Sequence, residues 1–239
     1  MKRGQSDTVQ LQRKTCRGKR LILMYSLISS MVECLDCGKN FDSKKGRNVH
    51  IGQTSCEYPE LSQKQKQITT GLLMGDAWLN GCFMAIDNTN FEFIEWLEDE
   101  LEIVHGKTAL RKMDDPNHND QKRMRLQTHS WFEQLRSWYD GGKKKFPEDL
   151  ELTPMILKVW YACDGSLVEG NRSDYYEARI SASNEREGNL EGLFEDTPLN
   201  PTVYRNTNVE IVFGANEREA FFEWVGEPVP GFEYKWRTN

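Results

Sequence analysis

The chain has 239 residues, 38% hydrophobic and 11% aromatic, enough apolar material for one large folded domain or two small ones. A formal net charge of -6 excludes a uniformly basic coat, and no run reaches the roughly 18 apolar residues that a membrane-spanning helix needs. The charge is uneven, however: residues 1–66 carry 13 Lys/Arg against 6 Asp/Glu, residues 67–145 carry 10 against 13, and residues 146–239 carry 8 against 18. Affinity for phosphates comes from the counterions released at each local contact, so basic stripes matter and the total does not. The acidic last third must then point away from any nucleic acid, or the protein works in a saline cytoplasm.

Residues 1–30 read as a basic leader, expected to be disordered. Leu21–Ile28 superficially resembles the apolar part of a secretory signal, but no small-residue cleavage site follows it. Met31 stands directly before the first motif and is an alternative start.

Residues 31–58 contain Cys34-x2-Cys37-x12-His50-x5-Cys56. Four thiolate or imidazole ligands at this spacing make a closed, structural Zn²⁺ site in a zinc-finger-like ββα module, and so short a segment needs the metal to fold. Phe41 occupies the core aromatic position. Arg47 stands where leucine is usual, so the core is expected to lean on Val49. If the module docks as familiar fingers do, Ser43, Gly46 and Val49 face bases and read them poorly. Lys39, Lys44, Lys45 and Arg47 suit phosphates, so the module would add affinity with little sequence information. A structural or protein-binding knuckle is the competing reading. Cys16, Cys82 and Cys163 are scattered and read as free thiols in a reducing compartment.

After the linker Pro59–Ser62, the capping box Ser62-x-x-Gln65 starts a helix that runs toward Asp76. Strand-like residues follow at 81–87, a helix at about 90–104, strands near 107–112 and 122–127 around the polar loop 114–117, and a helix at 130–139. Thr153-Pro154 caps a second apolar helix that ends at Asp164. The pattern then repeats: a strand at 175–182, a helix near 186–195, strands at 202–206 and 208–214, and a helix at 216–225. The run Ile68–Leu79, with Gly71-Leu72-Leu73-Met74-Gly75-Asp76 at its centre, thus recurs in altered form as Leu157–Leu167, with Val159-Trp160-Tyr161-Ala162-Cys163-Asp164. Each copy is an apolar helix ending in one acid. Gly71, Gly75 and Ala162 would let the two backbones approach closely, and two converging carboxylates are a minimal Mg²⁺ site.

With these motifs the chain resembles the LAGLIDADG homing endonucleases of the single-chain, two-motif type, over most of the sequence after residue 61. The resemblance implies an α+β fold of two pseudo-symmetric αββαββα halves, expected at 59–148 and 149–239. It implies Asp76 and Asp164 as ligands of catalytic Mg²⁺ at the scissile phosphates of double-stranded DNA. The segment Trp138–Pro147 resembles the family's connector between halves, which makes Lys144 the counterpart of an active-site lysine. Glu233–Trp236 resembles the segment supplying the second, here Lys235. Cys163 departs from the pattern, since close relatives often have another acid there.

The same resemblance implies two sheets saddling the major groove. Candidate contacts are Lys107, Arg111, Arg123, Arg125 and Gln127 in the first half, with Arg179, Ser181, Ser183, Arg205 and Asn208 in the second. A one-residue slip in strand register reverses every side chain, so the pattern alone leaves open which of them face the groove. The leading functional reading is a site-specific, metal-dependent DNA endonuclease of an intron or intein, acting as a monomer in the cytoplasm or nucleoid. The alternatives are a DNA-binding regulator that has lost cleavage and an RNA maturase acting on intron RNA.

Overall fold

The computed structural model describes residues 31–236 except 55, 58, 82, 114–118, 141–142, 170–175 and 186–187. The expected leader 1–30, the loop 114–117, and Cys16 and Cys82 lie outside the described residues. Contacts divide the chain into two units, one ending at Pro59 and one beginning at Glu60.

The first unit is a ββα module. A hairpin of β1 (Val32–Glu33) and β2 (Asn40–Phe41) precedes helix α1 (Lys44–Gln53), whose N-cap Ser43 accepts the amide of Gly46. The expected core is corrected here. Arg47 is buried at 8% exposure, while Val49 is 48% exposed. Helix geometry explains it: positions 47 and 50 are three apart and share the face turned to the hairpin, whereas 49 lies off that face. Phe41 packs against the His50 ring in a tilted pair, 4.9 Å between centroids, and Lys39 lies over Phe41.

The second unit is built from two halves of like topology. The first runs α2 (Gln63–Met74), β3 (Trp78–Asn80), β4 (Phe83–Asn88), α3 (Phe91–Glu100), β5 (His105–Arg111), β6 (Gln121–Leu126) and α4 (Ser130–Gln134). A small hairpin of β7 (Tyr139–Asp140) and β8 (Lys143–Lys144) leads on to α5 (Pro154–Asp164). The second half continues with β9 (Gly165–Glu169), β10 (Tyr176–Ser181), β11 (Thr202–Arg205), β12 (Val209–Phe213) and α6 (Ala215–Val225). Both sheets are antiparallel and ordered alike, β3-β4-β6-β5 and β9-β10-β12-β11.

The capping box at Ser62 and Gln65 forms, and Thr153 caps α5 by accepting the amide of Ile156. Gly81, at φ +63°, makes the tight turn between β3 and β4, so the second strand of the half begins at Phe83 and not at 81. The segment expected as a helix near 186–195 is instead made of 3₁₀ turns at Ser183–Glu185 and Gly192–Phe194. Gly188 and Gly192 weaken a helix there, and the Asn189 side chain accepts the Gly192 amide in a local turn. The turns still bury Leu190, Leu193 and Phe194.

α2 packs on α5 along its glycine-bearing face. A Cβ added at Gly71 would come 2.6 Å from the Ile156 carbonyl oxygen and 2.8 Å from Val159 Cβ. The helices therefore approach to near backbone contact, which no larger residue at 71 would permit. Ile68, Leu72, Leu73, Leu157, Val159 and Trp160 are fully buried in the core that joins the halves. Among the described residues, no helix is long and apolar enough to cross a membrane.

Candidate functional site

The paired helices bring their terminal acids to one end. Asp164 is the last residue of α5, and Asp76 stands two residues past the end of α2. A Cβ at Gly75 would meet Cys163 Cβ at 2.4 Å and lie 3.7 Å from Asp164 Oδ2, so each helix end rests against the other. The Asp76 amide is turned toward the Cys163 sulfur. Burial, followed by the charge of Asp76, pushes the Asp164 carboxyl up to about 6. Burial also raises Asp76, opposed by Lys235, Lys144 and the amide of Asn88.

Different groups orient the two carboxylates. Asn88, inward-facing at the end of β4, donates to Asp76 Oδ2 at 3.2 Å. Trp160, one turn back on α5, donates its indole N–H to Asp164 Oδ2 at 3.3 Å. Neither was singled out from the sequence. The signal for Asn88 was a polar residue at an inward position of an otherwise apolar strand.

Lys144 and Lys235 reach the same place from the connector in the middle of the unit's sequence and from its C-terminal end. Lys144 Nζ donates to the Gly75 carbonyl at 2.7 Å, and Lys235 Nζ donates to the Ala162 carbonyl at 2.6 Å. Burial lowers the basicity of both ammonium groups, and Asp76 and Asp164 counteract it in each. The Tyr161 hydroxyl donates to the Lys235 carbonyl at 2.9 Å and fixes that turn. Glu185, only 4% exposed, accepts the Phe146 amide at 3.0 Å and holds the connector that carries Lys144. It too escaped the sequence reading, because it lies between the strand expected at 175–182 and the helix expected near 186–195, and its partner is 39 residues away.

Asp76, Asp164, Lys144 and Lys235 thus form one cluster. Its donors toward a ligand are carboxylate oxygens, Asp76 is open to solvent, and the mutual repulsion of the acids is what a cation relieves. These residues fit a hard divalent ion such as Mg²⁺.

The strand register assigns the sheet candidates to faces. Met84, Ile86, Met124 and Leu126 point into the core, so the intervening positions share the opposite, open face. Lys107 pairs with Arg125, and Arg111 with Gln121, on that face. Lys107, Arg111, Arg123 and Arg125 therefore stand together. Asp87 takes Arg123 through both carboxylate oxygens at 2.6 Å and Arg111 at 2.9 Å. Arg125 lies over the Phe83 ring at 4.1 Å and Arg123 over Trp78 at 5.3 Å. In the second sheet, Arg179 and Ser181 occupy the open face, with Arg179 bound to Glu177 at 2.7 Å and Glu210 at 3.4 Å. Arg205 departs from the expectation: it shares the inward parity of Val203 and is bound to Glu191 and to the Gly188 carbonyl at the sheet's margin. Gln127 is half-buried just beyond β6, and Ser183 and Asn208 are exposed outside the strands.

In the first unit, ligand atoms of Cys34, Cys37, His50 and Cys56 all lie within 4.8 Å of one another. Cys37 Sγ is 3.2 Å from His50 Nε2. The amide of Cys37 turns toward the Cys34 sulfur and, against burial and together with the amide of Asp36, lowers its thiol below the usual value, whereas the Cys56 thiol is pushed up to about 11. The cluster is compatible with a zinc module. Lys44 and Lys45 begin α1, Lys45 exposed.

Comparison with known proteins follows the same line. The LAGLIDADG DNA endonuclease family matches residues 66–222. An uncharacterized protein of Methanocaldococcus jannaschii is 26% identical over 117 residues, 46% of each chain, so this chain matches about half the length of that relative. The homing endonuclease I-WcaI, solved bound to its DNA recognition sequence, superposes with a TM-score of 0.70 at 18% identity, covering 85% of this chain and 96% of that one. I-DmoI in complex with DNA and Mn gives a TM-score of 0.41 at 14% identity, covering 68% and 96%.

Proposed function

This chain belongs to the LAGLIDADG DNA endonuclease family, and from that premise we propose that it is a site-specific, Mg²⁺-dependent endonuclease cutting double-stranded DNA. The observation that carries the reading is the convergence of Asp76 and Asp164, with Lys144 and Lys235, at one end of a tightly packed helix pair. Asp76 and Asp164 would hold the cation, kept in orientation by Asn88 and Trp160. When bound, such an ion activates water and neutralises charge on the phosphate and leaving oxygen. Lys144 and Lys235 place two ammonium groups beside that position, where positive potential stabilises the charge developing on the phosphate. Both motifs lie on one chain, so a monomer would suffice. The module at 31–58 would hold structural Zn²⁺ through Cys34, Cys37, His50 and Cys56, and Lys44 and Lys45 would add phosphate contacts. The halves would span 59–148 and 149–239.

Incubating the purified protein with a library of long duplexes and Mg²⁺, then sequencing the ends, tests the activity. The expected result is a recurrent cut site, lost in Asp76→Asn and Asp164→Asn variants that still bind DNA. Binding without cutting by the unaltered protein would leave a regulator, and preferential binding of structured intron RNA would point to a maturase. Zinc content measured on the intact chain and on Cys34→Ser should fall from one ion per chain to none.

A further inference from the structure

The two sheets can be superposed position by position from their own hydrogen-bond registers. Two residues after Asp76, Trp78 pairs with Ala85; two residues after Asp164, Ser166 pairs with Arg179. Ala85 next pairs with Arg125, and Arg179 with Val212. Arg125 pairs with Lys107, and Val212 with Thr202. By the same count Arg123 corresponds to Glu210, and Phe83 to Glu177. The open faces are thus equivalent in backbone and unlike in chemistry. On the first, Lys107, Arg111, Arg123 and Arg125 stand against Asp87. On the second, Arg179 stands between Glu177 and Glu210.

We propose that the two faces divide the work on DNA: the first half supplies the phosphate grip, and the second adds almost none of it and contacts the duplex through a mixed donor–acceptor surface. The proposal rests on the DNA-binding reading above. Among the described residues, no carboxylate pairs with Lys107 or Arg125, and Phe83 seats the Arg125 guanidinium by its ring. Such cations displace counterions from phosphates and gain affinity in proportion. Arg179 differs because two carboxylates already neutralise it. Replacing the guanidinium of Arg123 by the carboxylate of Glu210 at the equivalent point changes the local charge by two. A face of that sign repels phosphates, yet its pattern of arginine donors beside glutamate acceptors complements a G·C pair, whose major-groove edge offers guanine acceptors and a cytosine amino donor.

The test needs no knowledge of the target. A 30-base-pair duplex of mixed sequence, without divalent cation, is titrated with the full chain across a range of salt, and folding of each variant is checked by circular dichroism. Arg125→Gln and Lys107→Gln should each weaken binding and flatten the log K against log salt slope by about 0.9, the value of one lost phosphate contact. Arg179→Gln should leave the slope unchanged, and Glu210→Gln should strengthen binding. Equal flattening by Arg125→Gln and Arg179→Gln, or no change from any of the variants, overturns the division of labour. Failure of the unaltered chain to bind the duplex at low salt would overturn the DNA reading itself.

Discussion

The first half leaves its acid outside the helix: Asp76 is exposed beyond α2 and is held by Asn88 from a neighbouring strand. The second half keeps its acid inside: Asp164 ends α5, is half-buried, and is held by Trp160 of its own helix. Equivalent positions on a repeated scaffold are therefore held differently: burial raises both carboxyls, and at Asp164 the charge of Asp76 adds to the rise. The open faces show the same lesson in charge. A duplicated fold fixes where side chains project and leaves free what they are.

The comparison breaks most visibly if the acids are not a functional pair. Asp76→Asn and Asp164→Asn should each reduce cleavage of the identified site by about three orders of magnitude or more, with binding retained, since each removes part of the charge stabilisation at the phosphate. Initial rates on the two strands read the effect. Loss confined to one variant would mean that only one half is catalytic.

Next in size, Lys144→Met and Lys235→Met should lower the cleavage rate about 100-fold with little change in DNA affinity, the effect of losing one charge-stabilising donor. Single-turnover kinetics separate rate from binding. Because both lysines also donate to backbone carbonyls at the helix ends, thermal melting must accompany both variants.

Packing should respond at Gly71. Gly71→Val places atoms into Ile156 and Val159, and overpacking of this kind costs about 1–3 kcal/mol or more. Denaturant melts should show it, whereas the exposed Gly81→Asn should cost little.

The smallest effect concerns pH. The folded chain holds the Asp164 proton up to about 6, above the ordinary carboxylate value, so the folded state binds that proton more readily than the unfolded state. Stability linked to this group is present below about pH 4 and is lost as pH rises through 6. Without added divalent ion, Asp164→Asn should therefore stabilise the fold at pH 7, by on the order of 1–2 kcal/mol, and gain nothing at pH 4. Differential scanning calorimetry at the two pH values checks the sign.

The sequence made the duplication legible because two apolar stretches at helical spacing each ended in an acid behind a recognisable cap. The metal-ligand spacing of Cys34, Cys37, His50 and Cys56 was equally readable. Strand faces were not, since alternation gives a period and no phase. Arg205 was counted among groove residues and turned out to share the inward parity of Val203. Val49 was taken for core because it is apolar, yet helix geometry put Arg47 there. The 186–195 segment has helix-like apolar residues, but its glycines and the Asn189 turn won. Asn88 and Glu185 act through neighbours far away in sequence, a relation that local pattern does not carry.

The central claim, that two acids share one pocket, is tested most directly by following the Asp164 carboxyl through a pH titration by carbon NMR, in the unaltered chain and in Asp76→Asn, with no divalent ion added. The account predicts a midpoint near 6 that moves down when Asp76 loses its charge. A midpoint indifferent to Asp76 would contradict it.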